Sequence, residues 1–186
     1  MASIIKANQL QDFGGNSILT SDGAGVVTPN ASGIKNTPAF EANLGGSGGQ
    51  AVSDNTVTLV TINTEVYDTD SAFDTSTYRF TPQTAGKYFA YASIQTEVGS
   101  NANLDDSYLY FKLNGSNIYE SVNIYATNYI RQDIISGHIV VDMNGSSDYL
   151  ELYGRINSVS GSGQLFESNT QWKRATHFGA YRIIGA

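Results

Sequence analysis

The sequence predicts an all-β sandwich, and three observations carry that prediction. Runs rich in β-branched and aromatic residues recur at intervals of roughly ten residues, the spacing of short antiparallel strands. Gly, Asn, Asp and Pro turn signals bound them. No window places apolar residues at helical spacing between caps. A chain of 186 residues that is 40% hydrophobic can bury one sizeable core, which argues for a single such domain.

Residues 1–36 differ from the rest. They carry only short apolar bursts, Ile4-Ile5 and Ile18-Leu19 with Leu10 between them, broken by Phe13-Gly14-Gly15-Asn16 and Ser21-Asp22-Gly23-Ala24-Gly25. Bursts this short cannot close a core against the entropy of ordering the chain, so the segment is either a disordered tail or an extended N-terminal arm that borrows a partner's surface. Residues 37–186 read as the folded domain.

The first strand of that domain is expected at residues 38–42, followed by a Gly-rich loop at 44–50. Residues 56–62, Thr-Val-Thr-Leu-Val-Thr-Ile, suit a pleated surface. Residues 73–91 read as strand, turn, strand: Pro82 pre-sets one turn dihedral, Gly86 can take a positive φ, and the flanks are expected to pair as a hairpin. In residues 108–113, Leu109, Phe111 and Leu113 alternate with Tyr108, Tyr110 and Lys112, one face apolar and one polar. Asn114-Gly115 suits a primed turn, so residues 116–125 should return antiparallel. A second hairpin is expected from residues 134–143 through 144–148 to 149–153. Residues 177–184 make the last strand.

Charge and composition exclude several function classes. The 17 acidic against 10 basic residues leave a net charge of −7, which opposes docking on phosphate backbones, so nucleic acid is not an expected partner. No run approaches the roughly 20 apolar residues of a membrane span. Residues 1–8 lack the apolar core of a signal peptide, and the expectation is a soluble protein made in a cytoplasm. Zero cysteines rule out disulfides and thiolate metal sites.

Catalytic chemistry has weak signals. Gly45-Gly46-Ser47-Gly48-Gly49 fits the nucleophile-elbow pattern, but that motif works on a turn from strand to helix and no helix follows. His138 alternates with Ile139 and Val141 and should face solvent, while His177 opens the last strand; nothing in the spacing joins either to a Ser and Asp as a triad. Asp105-Asp106 and Asp68, Asp70 and Asp74 are oxygen-rich loops of a kind that holds calcium, although solvated turns explain them more simply. Asn30, Asn114 and Asn144 fit the glycosylation sequon without a secretion signal. No catalytic residue, cofactor or metal is expected.

Residues 73–91, with an aromatic, Pro82, Gly86 and the pair Tyr88-Phe89 in that order, resemble the central signature of the C1q and tumour-necrosis-factor-like jelly rolls. Tyr67-Asp68 precedes it as in that family, and residues 139–152 are similar to its hydrophobic, Gly-Asp, hydrophobic segment. Phe178-Gly179-Ala180-Tyr181 resembles the family's closing strand with its Gly shifted by one position. The resemblance implies a C1q/TNF-like jelly-roll β-sandwich following the extended N-terminal arm, and a homotrimer packed about a threefold axis. The aromatic content, 12 Tyr and 8 Phe, exceeds what one small core readily hides and supports such an interface. The expected interface set is Tyr88, Tyr91, Tyr149, Tyr153, Phe178 and Tyr181, the alternative being that individual rings of the set fill the monomer core.

The opening, residues 3–25, resembles that of structural proteins of tailed bacteriophages, where it attaches an appendage to the particle. Ile4, Ile5, Leu10, Ile18 and Leu19 are the expected attachment residues, since extended apolar pairs can add to a neighbour's sheet edge. The reading is a non-enzymatic virion protein on the tail or capsid surface, a tail-fibre adhesin or a capsid decoration. Its partners would be other virion structural proteins and a host receptor or glycan. The alternative is a soluble C1q-like ligand or carbohydrate-binding module with no particle.

Overall fold

The computed structural model describes residues 7–46, 48–99, 103–127, 129–159, 164–168 and 174–185. The arm holds β1 (Gln9–Gln11), β2 (Ser17–Ser21) and β3 (Val27–Pro29). Short strands follow: β4 (Ala39–Asn43), β5 (Gln50–Ala51), β6 (Thr58–Leu59), β7 (Thr64–Asp68), β8 (Phe73–Asp74) and β9 (Arg79–Phe80). The long strands are β10 (Gly86–Glu97), β11 (Leu104–Leu113), β12 (Ser116–Ile124), β13 (Gln132–Met143) and β14 (Leu150–Ser158), followed by β15 (Leu165–Phe166) and β16 (His177–Arg182).

Two antiparallel sheets face each other. In one, β10 lies between β13 and β16, and β4 and β7 continue beyond β16; β15 and β5 extend the same side at the far end of β10. In the other, β11 lies between β12 and β14, and β9 and β8 continue beyond β14, with β6 also paired to it. The expected alternation sets the core: Tyr88, Ala90, Ala92 and Ile94 of β10 point in, and so do Leu109 and Phe111 of β11 and Leu150, Leu152 and Ile156 of β14. At one end the Phe40 ring stacks on Phe73 at 4.5 Å and on Phe80 at 4.7 Å, with Phe178 edge-on at 4.9 Å. Burying each such ring contributes roughly 1.5–3 kcal/mol.

The Asn114-Gly115 turn forms as the sequence predicts, with φ of 52° and 80°, and β12 returns along β11 from Ser116 opposite Leu113. The other two expected hairpins are corrected. Phe80 pairs with Leu150 in one sheet, while Gly86 pairs with Met143 in the other. Residues 81–85 and 144–149 are therefore arches between the sheets. They lie against each other: a Cβ on Gly145, at φ +71°, would stand 2.1 Å from the Ala85 nitrogen. Pro, Gly and Asn serve an arch as well as a hairpin, so turn chemistry alone does not choose between them. Of residues 56–62, only Thr58 and Leu59 pair as a strand; Val60 and Ile62 are buried beyond it.

The arm is extended in its strands but doubles back twice. Both turns are specified locally. Asp12 accepts the Asn16 amide at 2.8 Å with Gly15 at φ +82°, and Asp22 accepts those of Ala24 and Val26 at 2.7 and 3.1 Å.

Candidate functional site

The feature that stands out is the outer face of the sheet centred on β10. Because Tyr88 and Ala90 point inward, Phe89 and Tyr91 must point outward. Register then sets their neighbours. Phe89 lies opposite Val140 on β13 and Tyr181 on β16; Tyr91 lies opposite His138 and Gly179; and Gly179 lies opposite Glu41, which faces Tyr67. The Phe89 ring stands 5.5 Å from Tyr181, 5.7 Å from His138 and 6.3 Å from Tyr91. These separations suit direct ring contact.

Gly179 makes room for the pattern. A Cβ there would meet Tyr91 Cζ at 2.4 Å, so the absent side chain is what lets the Tyr91 ring lie across β16. The Tyr91 hydroxyl donates to Glu41 Oε2 at 3.0 Å, and Arg174 Nη1 donates to Glu41 Oε1 at 2.9 Å. Burial first, and the Glu41 carboxylate second, push the Tyr91 hydroxyl well above the usual phenol range. The centre of the face is nevertheless open: Tyr181 is 37% exposed, Tyr67 43% and Val140 53%, with Ile134 at 57% further along β13. Charged groups close both ends, Lys87 with Asp142 at 2.7 Å and Arg131 with Glu97. An apolar, aromatic centre with a charged rim has the composition of a subunit interface.

The expected interface set divides three ways. Tyr91 and Tyr181 lie on this face. Tyr88 and Phe178 do not: both are fully buried in the protomer's own core, and the Tyr88 hydroxyl donates to the Thr84 carbonyl at 2.6 Å, so neither ring can meet a neighbour. Tyr149 and Tyr153 lie on the opposite sheet's outer face, where Arg79 sits 4.0 Å over Tyr149 and Lys112 3.9 Å over Tyr153. Sequence reading missed Phe89, His138, Val140 and Tyr67. The alternation through residues 88–91 was the available signal for Phe89; the others depend on which strands become neighbours.

Of the expected attachment residues, Leu10 is 54% exposed and Ile18 and Leu19 are half-buried, while Ile4 and Ile5 lie outside the described residues.

His138 faces outward as expected, its ring on Phe89. His177 Nδ1 stands 3.0 Å from Ser93 Oγ, the spacing of a nucleophile and base. The protons go elsewhere, however: Nδ1 lies 2.7 Å from the Arg174 carbonyl, and Ser93 Oγ donates to that of Ala175. Ser93 is thus held by backbone and not activated. Ser47 lies outside the described residues, and the loop that contains it leads into β5, a strand.

The acidic loops have local partners. Asp68 accepts the backbone amides of Ala72 and Phe73, Asp74 accepts the side-chain hydroxyls of Ser76 and Thr77, and Asp105 and Asp106 both accept from the Asn157 side-chain amide. Among the described residues no group of three or more His, Asp or Glu is placed to hold a metal.

Two stacked antiparallel sheets joined by paired arches, with one long-strand face left aromatic and open, define a C1q-like jelly-roll domain. Among solved structures the chain is similar to the globular domain of zebrafish complement 1qA protein, with a TM-score of 0.54 and 15% identity, over 79% of this chain and 98% of that one. That likeness establishes the fold. No protein-family model matches the chain, and no curated protein matches it.

Proposed function

We propose that the protein is a non-enzymatic homotrimer whose C1q-like heads meet through the outer face around Phe89, Tyr91, His138, Val140 and Tyr181. The open aromatic face on a fold that the resemblance associates with trimers carries this reading. A face of this kind left in water is costly, and burial against two copies removes the cost. The opposite sheet would then face outward and be free to touch a receptor or glycan.

We read the arm as the element that anchors the trimer to a bacteriophage particle, with the head displayed as a tail-fibre adhesin or capsid decoration. Its support is the residue pattern of positions 3–25 together with the head that follows. Three linked heads would raise weak host contacts to useful avidity. Light scattering of the purified chain is expected to give a trimer. Deleting residues 1–36 should preserve oligomeric heads and abolish incorporation into particles. A chain that stays monomeric across the accessible concentration range overturns the trimer, and particles that take up the deleted form overturn the anchor.

A further inference from the structure

The open aromatic face carries an imidazole at its centre. His138 is exposed and lies opposite Tyr91, with Phe89 and Ser93 diagonal to it on β10 and Ser136 and Val140 two residues away along β13. None of these neighbours is charged, and the His138 ring stacks on Phe89 at 5.7 Å and 27°. Imidazole is the side chain that changes charge between about pH 5 and 8. The chain has two, and the other, His177, is half-buried and tied through Nδ1 to the Arg174 carbonyl at 2.7 Å.

An imidazolium at His138 has no carboxylate beside it. On the same strand, Asp142 is held through both oxygens by Lys87 Nζ of β10, at 2.7 and 2.8 Å, at one end of the face. Asp133, on the inward alternation at the other end of β13, accepts from Asn123 Nδ2 at 2.9 Å and from the Ser107 hydroxyl. At the far end of β10, Glu97 accepts from Arg131 Nε at 3.0 Å and from Gln132 Nε2 at 2.7 Å. The Glu167 carboxyl shares that end, raised by its own burial and then by Glu97. Across β16, Glu41 accepts from Tyr91 and Arg174. Behind β13, β11 and β12 present Leu109 and Tyr119 to Gly137. The acids nearest the face are thus engaged within their own protomer, and none adjoins His138.

We propose that His138 makes assembly of the heads acid-sensitive, the trimer forming with the imidazole neutral and coming apart when it is protonated. This rests on the reading that the heads meet through this face. In the free head the imidazolium is solvated and gains a cation–π contact with Phe89. In the assembled face its water is removed and no counter-charge replaces it, so assembly favours the neutral ring. The contribution is complete above the range in which the free ring titrates and is lost as pH falls through that range. One ring per head means three protons taken up per dissociating trimer. The association constant therefore falls by up to about a thousandfold per pH unit at the acid end.

Sedimentation of the full chain, at the lowest concentration that still gives complete trimer at about pH 8, tests this by lowering the pH to about 5.5 while circular dichroism follows the fold. Monomers with an unchanged β-sheet signal are expected at the acid end. His138→Phe and His138→Gln, neutral throughout, should stay trimeric across the range, and His138→Lys, charged throughout, should be monomeric at both ends. His177→Asn should keep the response of the unaltered chain. A trimer equally stable at both ends of the range overturns the inference and leaves the head reading standing, as does dissociation that comes only with loss of the β-sheet signal. A chain monomeric at every pH overturns the head reading itself. Acid dissociation that persists in His138→Phe and is lost in Glu167→Gln moves the switch to the Glu97 pair and overturns the role of His138.

Discussion

Two neighbouring aromatics three positions apart, Phe178 and Tyr181, have opposite fates. Phe178 is fully buried among Phe40, Phe73 and Phe111, whereas Tyr181 is 37% exposed on the outer face. Phe178→Ala should therefore cost about 3–5 kcal/mol, the range for emptying a packed aromatic site, read as a fall in the urea midpoint. Tyr88 offers a second test of burial. Its hydroxyl is pushed up to about 12, chiefly by burial, against about 10 for an unfolded tyrosine. The neutral phenol thus stabilises the fold fully below pH about 10, and this contribution is lost as pH rises from there through about 12. Ultraviolet titration is expected to show a group of late-ionising tyrosines that includes Tyr88 and Tyr91, and the late fraction should fall by one tyrosine in Tyr88→Phe; an unchanged late fraction in that variant contradicts it. At this scale composition was a poor guide. That aromatics were plentiful was legible, but assigning each ring to core or surface needed the alternation through residues 88–91 and the identity of the strands alongside.

Strand positions were largely legible, because period-2 alternation and turn residues act over a few neighbours in the chain. Residues 108–113, the Asn114-Gly115 turn and the closing strand all form where local chemistry places them. Pairing was less legible. The segments 81–85 and 144–149 look like hairpin turns, yet they cross between sheets, which lets Tyr88, Ala90 and Ala92 of β10 and Leu150, Leu152 and Ile156 of β14 share one core. The two arches depend on one small residue. Gly145 has φ +71° and approaches the backbone of Thr84 and Ala85. Gly145→Ala should destabilise by roughly 2–3 kcal/mol, since it combines a disfavoured φ with a backbone clash. Gly115→Ala, also at positive φ but with only the Tyr149 hydroxyl nearby at 3.8 Å, should cost about 1 kcal/mol. Thermal melts of the two variants side by side read the difference, and equal shifts would remove the arch contact as its cause.

At the scale of the whole molecule, the proposed trimer makes a sharp contrast between stability and association. Phe89→Lys places a charge in the middle of the aromatic face without touching the core. It is expected to leave the β-sheet circular dichroism unchanged and to convert the trimer to monomers by sedimentation. A variant that stays trimeric moves the interface elsewhere. Lys112→Ala on the opposite face, which removes the cation over Tyr153, should leave association unaltered, since that sheet faces away from the proposed threefold axis.

The chain's own order determined the all-β class, most strand positions, the self-contained turns and the lack of thiol chemistry, because each depends on residues near one another in sequence. Tertiary structure alone decided that two apparent hairpins are arches, that Tyr88 and Phe178 are core, and that Phe89, Tyr91, His138, Val140 and Tyr181 share one open face. Those outcomes rest on pairings between residues far apart in the chain, such as Phe89 with Tyr181 and Phe178 with Ala42, and are set by which apolar faces cover each other when the sandwich closes.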